Sequence, residues 1–206
     1  MPSNITELKP KIKLTVGAQY ICFNQGDSNG DWDATAFEST VKKFPTVVQA
    51  SITDEVDSYE VYASGAVYDA DANVLSKTIA VTNVAFDDAT IAKMKGESVS
   101  AKGVIMEGGN AERPWFAYGI VEIKKGGGLY MRWFPKCKLT ENSDEAATST
   151  ASHSDQNSTM NIKAYQYNTD GNTDVKSPDI AGITEDAFFD APLLTAAAVE
   201  ALIPVT

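Results

Sequence analysis

The oxygen-bearing side chains best spaced for chemistry lie in the acidic stretch NQGDSNGDWDATAFE, residues 24–38. Asp27, Asn29, Asp31, Asp33, Thr35 and Glu38 occupy positions 1, 3, 5, 7, 9 and 12 of a calcium-loop spacing, which wraps oxygen ligands around one hard cation. Against that reading, Trp32 stands where such a loop bends at glycine, and no helical pattern precedes Asp27. The competing expectation is a surface loop of Asx turns at Asp27, Asn29 and Asp31. Asp69, Asp71 and Asn73 start a similar series but lack its closing carboxylate.

Other chemistry-bearing residues are poorly placed for catalysis. His153 is the only histidine. With Ser152 and Asp155 it shares a Ser/Thr-rich stretch, and sequence neighbours on a loop cannot hold a base against a nucleophile in triad geometry. The glycines of GGNAERPW (108–115) and the run at Gly126 precede no helix, so they read as turns and not as a phosphate cradle. Cys22 and Cys137 have no Cys or His at ligand spacing, so zinc is not expected, and both are expected to be free thiols. The expectation is a protein that is not an enzyme and carries no cofactor.

Composition narrows the class further. The 206 residues are 43% hydrophobic, enough for a substantial core. Frequent Val, Thr, Tyr and Ser favour strands, so an all-β or β-dominated fold is expected. A net charge of −11 removes the phosphate attraction on which nucleic-acid affinity rests. The N-terminal MPSNITELKPKIKL lacks the apolar core of a signal peptide, and no apolar run approaches the roughly 18 residues of a membrane span. Folding in a cytoplasm, without a membrane partner, follows as an expectation.

The elements that would position these residues are mostly hairpins. Residues 11–23 read as one broken strand, 46–53 as a second and 57–69 as a third, with Asp69 to Asn73 as a turn into a strand over 77–86. Asp87 as N-cap, Ile91 and Met94 at helical spacing and Gly96 as terminator predict one short helix. A strand over 99–106 and a turn at Gly108 and Gly109 follow. The longest feature is RPWFAYGIVEIKKGGGLYMRWFPKCK (113–138), two strands about a glycine turn at Gly127. Its Trp115, Phe116, Tyr118, Tyr130, Trp133 and Phe134 are expected to pack as a structural beam. Residues 140–159 read as a polar loop dispensable to the fold, 160–167 as a strand, 168–174 as a turn. In 184–202, Phe188, Phe189, Leu193 and Leu194 are expected to dock, and TAAAVEALI to form a helical turn or two.

The order of these pieces resembles the major tail proteins that build the tail tube of long-tailed, non-contractile phages. The resemblance rests on VDSYEVYASGAVYDAD and its paired strand, the DDATIAKMKG helix, and RPWFAYGIVEI with YMRWFPKCKLTEN followed by MNIKAYQY, covering residues 46–167. It implies a β-sandwich or barrel with one flanking helix as a single domain over 1–206, with an assembly loop expected at 140–159; the acidic loop insertion at 24–38 and the C-terminal extension at 175–206 depart from the family's pattern. It further implies homo-oligomeric, hexameric rings that stack into a tube within the virion tail. The partners would be the tape-measure, tail terminator and baseplate proteins, and DNA would pass through without tight binding. On that basis Glu141, Asn142, Asp144, Glu145, His153 and Asp155 are candidates for contacts between subunits, and Ser58, Glu60, Ser64, Thr78 and Thr82 for the lumen face. The acidic charge suits a conduit that must not hold its cargo. The alternative is a calcium-dependent β-sandwich binding module, for carbohydrate or another surface ligand, built on Asp27, Asn29, Asp31, Asp33 and Glu38.

Overall fold

Alternation along one central hairpin sets the architecture. In β5 (Phe116–Lys124) and β6 (Leu129–Asp144), side chains alternate between two apolar clusters on opposite faces of the sheet. Phe116, Tyr118, Ile120 and Phe134 join the first, whereas Ala117, Val121, Met131 and Trp133 join the second. The turn between the strands uses Gly126 and Gly127 at φ +89° and +81°, which side-chain-bearing residues rarely adopt. The expected beam is therefore present, and it is buried on both faces.

The computed structural model describes residues 7–108, 112–144 and 157–204. Its strands form one 8-stranded antiparallel sheet in the order β2-β1-β5-β6-β7-β4-β3, with β8 added to β6. The remaining strands are β1 (Lys13–Phe23), β2 (Lys42–Phe44), β3 (Val47–Ala63), β4 (Ala66–Asn83), β7 (Ser158–Tyr165) and β8 (Val175–Pro178). The sheet curls around the first cluster. Gln19 of β1 donates to Asn83 of β4 at 2.6 Å and accepts from the Tyr118 hydroxyl at 3.2 Å, all three being buried. β1 and β3 do not pair; they flank a groove of about 440 Å³ lined by Leu14, Val16, Val48 and Ala50 among others. The fold is thus a curled sheet open along one seam.

The C-terminal region forms a second layer and not an appendage. β8 pairs with β6, and α2 (Glu185–Phe189) and α3 (Ala196–Glu200) bring Phe188, Phe189 and Val199 onto the second cluster. Trp133 donates from Nε1 to the Phe188 carbonyl at 2.9 Å, and Phe189 stacks on Tyr20 with ring centroids 3.8 Å apart. Cys22 faces this layer and Cys137 the first cluster; both are free thiols, and burial raises both.

Helix α1 (Asp88–Lys95) has the expected boundaries: the Asp87 carboxylate accepts from Thr90 N, and Gly96 caps in the left-handed region. Three expectations are corrected. The β3–β4 hairpin turns at Ser64 and Gly65, both at positive φ, and residues 69–73 continue β4. Gly65 adopts the left-handed region without steric cost, and 69–73 holds no glycine to do the same. Residues 99–106 are a tight turn closed by Ser100 N to Val104 O at 2.9 Å, with a lone Val99–Ile105 bridge, because Gly103 reverses the chain. Finally, β6 runs to Asp144 and β7 starts at Ser158, so both ends of the polar stretch 140–159 are paired strand.

Gly119 is the contact on which the second layer closes. A Cβ there would lie 2.7 Å from the Phe189 ring and 3.0 Å from Tyr20 Cβ. Gly119→Ala is expected to destabilise the fold by about 1–3 kcal/mol, measured by chemical denaturation, and the double variant Gly119→Ala, Phe189→Ala is expected to lose less than the sum of the two single losses.

Candidate functional site

The acidic loop at 24–38 folds by satisfying its own backbone. The Asp27 carboxylate accepts from Asn29 N at 2.8 Å and Asp31 N at 3.0 Å, and Asn24 Oδ1 accepts from Gly26 N and Asp33 N. Asp33 accepts from Thr35 N at 2.8 Å and its hydroxyl at 2.9 Å, which holds its carboxyl below the usual range. Glu38 instead pairs with Lys93 at 2.6 Å. Trp32 is turned onto the body, donating to the Pro135 carbonyl at 3.2 Å beneath Lys136. Among the described residues no group of three or more His, Cys, Asp or Glu side chains is placed to hold a metal. The structure therefore does not bring Asp27, Asn29, Asp31, Asp33 and Glu38 together as a ligand shell.

The candidate lumen residues do not share a surface. Thr78 and Thr82 lie on the face of β4 opposite the core residues Ile79 and Val81. Ser58 and Glu60 share the β3 face of Ala50 and Ile52, which is the core-facing side, and Ser64 sits in the turn. Of the candidate assembly residues, Glu141, Asn142 and Asp144 belong to β6, where Glu141 accepts from Asn161 at 2.9 Å. Glu145, His153 and Asp155 lie outside the described residues.

What the strands do build is an arm. β4 pairs with β7 only from Ser76 to Asn83, so Val56–Ala63 and Ala66–Val74 continue beyond the body as a two-stranded ribbon exposed on both faces. Val56, Tyr59, Val61, Tyr62, Val67 and Tyr68 are all at least 44% exposed. An isolated two-stranded ribbon has marginal stability in water, so the root of the arm must supply its anchorage.

Polar clamps grip that root on both faces. On the outer face Glu55 of β3 accepts from Ser76 and Thr78 of β4 at 2.6 and 2.7 Å and from Lys163 of β7 at 2.6 Å. The Lys163 ammonium, with the two hydroxyls, lowers the Glu55 carboxyl to about 2. On the inner face Lys77 lies between Asp54 at 2.8 Å and Asp174 at 3.3 Å. Burial there disfavours the ammonium, but the two carboxylates outweigh it and its pKa is raised. Sequence reasoning passed over both clamps. The available signal was Lys77 itself, a lysine at the parity of Ile79 and Val81, where a charge needs a partner.

No protein-family model matches the sequence, and no curated protein matches it. Among solved structures, a chain of the six-fold symmetrised baseplate of the anti-feeding prophage matches at 7% identity and a TM-score of 0.40, over 77% of this chain and 95% of that one. A likeness of that degree assigns no function. No helix among the described residues is long and apolar enough to cross a membrane.

Two measurements check this geometry. Glu55 titrates below its ordinary value of 4.5, so its contribution to stability is complete above that pH and is lost as pH falls toward about 2. Glu55→Gln should flatten the acid side of the melting-temperature profile in that window; an unchanged acid slope would contradict the clamp. Millimolar calcium should leave the melting temperature unmoved in both the parent and Asp31→Ala. A rise that Asp31→Ala abolishes would reinstate the calcium loop.

Proposed function

We propose that this chain is a structural virion protein, the tail-tube subunit of a long-tailed phage, which self-assembles into hexameric rings that stack into a conduit for DNA. The observation that carries this reading is the arm from Val56 to Val74, exposed on both faces and, among the described residues, with no strand on the outer edge of β3. A long, unpaired, partly apolar edge is a liability in a monomer and a connection in an assembly. The resemblance of residues 46–167 to major tail proteins supports the same reading. So does the net charge of −11, which keeps a wall from binding the phosphates that pass it.

In this reading the polar outer face of β3 and β4, with Thr78, Thr82 and the Glu55 clamp, is the candidate lumen side. Residues 24–38 and the ends of the 140–159 stretch are candidates for contacts between rings. The tape-measure, terminator and baseplate proteins would be its partners, assembly would take place in the host cytoplasm, and neither catalysis nor a cofactor is required.

Purified protein at rising concentration should form rings or tubes visible by negative-stain microscopy. A strictly monomeric particle at every concentration and salt condition would falsify the proposal.

A further inference from the structure

The arm has two unlike faces. Asp57, Tyr59 and Val61 of β3 stand opposite Asn73, Asp71 and Asp69 of β4, which makes one face acidic with an apolar middle. The other face carries Val56 opposite Val74, Ser58 opposite Ala72, Glu60 opposite Ala70 and Tyr62 opposite Val67, so it is the less acidic of the two. No lysine or arginine occurs from Asp54 to Leu75, so nothing on the arm offsets its carboxylates. Such a ribbon is completed by a partner that is both basic and apolar.

The same chain carries a segment of that chemistry. Residues 8–14, LKPKIKL, alternate Lys9, Lys11 and Lys13 with Leu8, Ile12 and Leu14 and contain no acid. In an extended chain that alternation places the ammonium groups along one side. Leu8, Ile12 and Leu14 are 82%, 65% and 62% exposed. The lysines pair with Glu7, Asp179 and Glu122, but their own side chains stay at least half exposed, and such ion pairs hold little free energy against a better partner. The segment is attached to the sheet through Lys125 N to Ile12 O at 2.8 Å, so its lysines stand beside Lys124 and Lys125 at the glycine turn of the central hairpin.

We propose that the arm of one copy docks on the Leu8–Leu14 segment of a second copy, its Asp57, Asp69 and Asp71 face against Lys9, Lys11 and Lys13. This rests on the self-assembly reading and specifies which surfaces meet. The two surfaces are different parts of the chain, so the contact is head-to-tail. Repeated by rotation, it closes a ring and leaves every copy with one arm given and one received.

Paired charge reversal tests the contact. One variant carries Asp57→Lys, Asp69→Lys and Asp71→Lys; the other carries Lys9→Glu, Lys11→Glu and Lys13→Glu. Each alone presents like charges across the contact, and should raise the concentration needed for assembly at least about tenfold, read by sedimentation velocity, with an unchanged circular dichroism spectrum. Mixed one to one, each arm again meets an opposite charge, and assemblies should return with the two variants alternating. Assembly of either variant alone at the parent's threshold, or a mixture that stays dissociated, would overturn the contact while leaving the tube-subunit reading standing. A parent protein that never assembles would overturn both.

Discussion

The structure depends on the burial of both faces of β5 and β6. A strand with one wet face would need only every second residue apolar. Here Phe116 to Val121 are buried in unbroken succession, and a sheet covered on both sides has to find two covers. The curl of the sheet onto itself supplies one, and the C-terminal helices with β8 supply the other. β6 is the member common to every part: it pairs with β5 along one edge, and along the other with β8 near Tyr130 and with β7 beyond Cys137. The Gln19, Asn83 and Tyr118 link shows the same constraint at close range. Gln19 joins the Tyr118 hydroxyl on the neighbouring β5 to the Asn83 amide oxygen on β4, four strands away, inside the first cluster.

The arm is the counterpart of that core. Where apolar residues run out on the core-facing parity of β3 and β4, the sheet gives way to a ribbon, and ionic contacts take over the anchoring. Lys77 with Asp54 and Asp174 stands at the boundary, the last inward position before the exposed region. Glu55 and Lys163 secure the other face at the same level. Rigidity at the root and exposure beyond it suit a surface whose partner is a separate molecule.

Much of this was legible in the sequence where local chemistry and tertiary position agree. Asp87 and Gly96 marked the helix, the glycine run marked the central turn, and Phe188 and Phe189 announced a docking segment. The turn of the second hairpin was misplaced because Asp and Asn density at 69–73 imitated a turn, while the single Ser64–Gly65 pair that makes it is a weak signal in a long alternating run. The calcium spacing was real as spacing, but side-chain oxygens in Asx turns already have partners in the adjacent amides. The second layer on β6 and the clamps at the arm could not be read locally, since each joins residues far apart in the chain and no alternation marks which ones will meet.

The extra residue Leu75, which has no partner between Glu55–Ser76 and Val56–Val74, brings a rule of length to the arm. Side chains alternate with period two, so this bulge puts Asp69 and Asp71 on the same face of the ribbon as Asp57, and a second one at Tyr68 sets the face of Val67. Adding one residue to each strand would exchange the faces at the tip. Adding two to each would lengthen the arm by roughly 7 Å and preserve them. Reach in this molecule is therefore quantised: a relative spanning a wider gap would differ by residues inserted four at a time, two on either side of the Ser64–Gly65 turn.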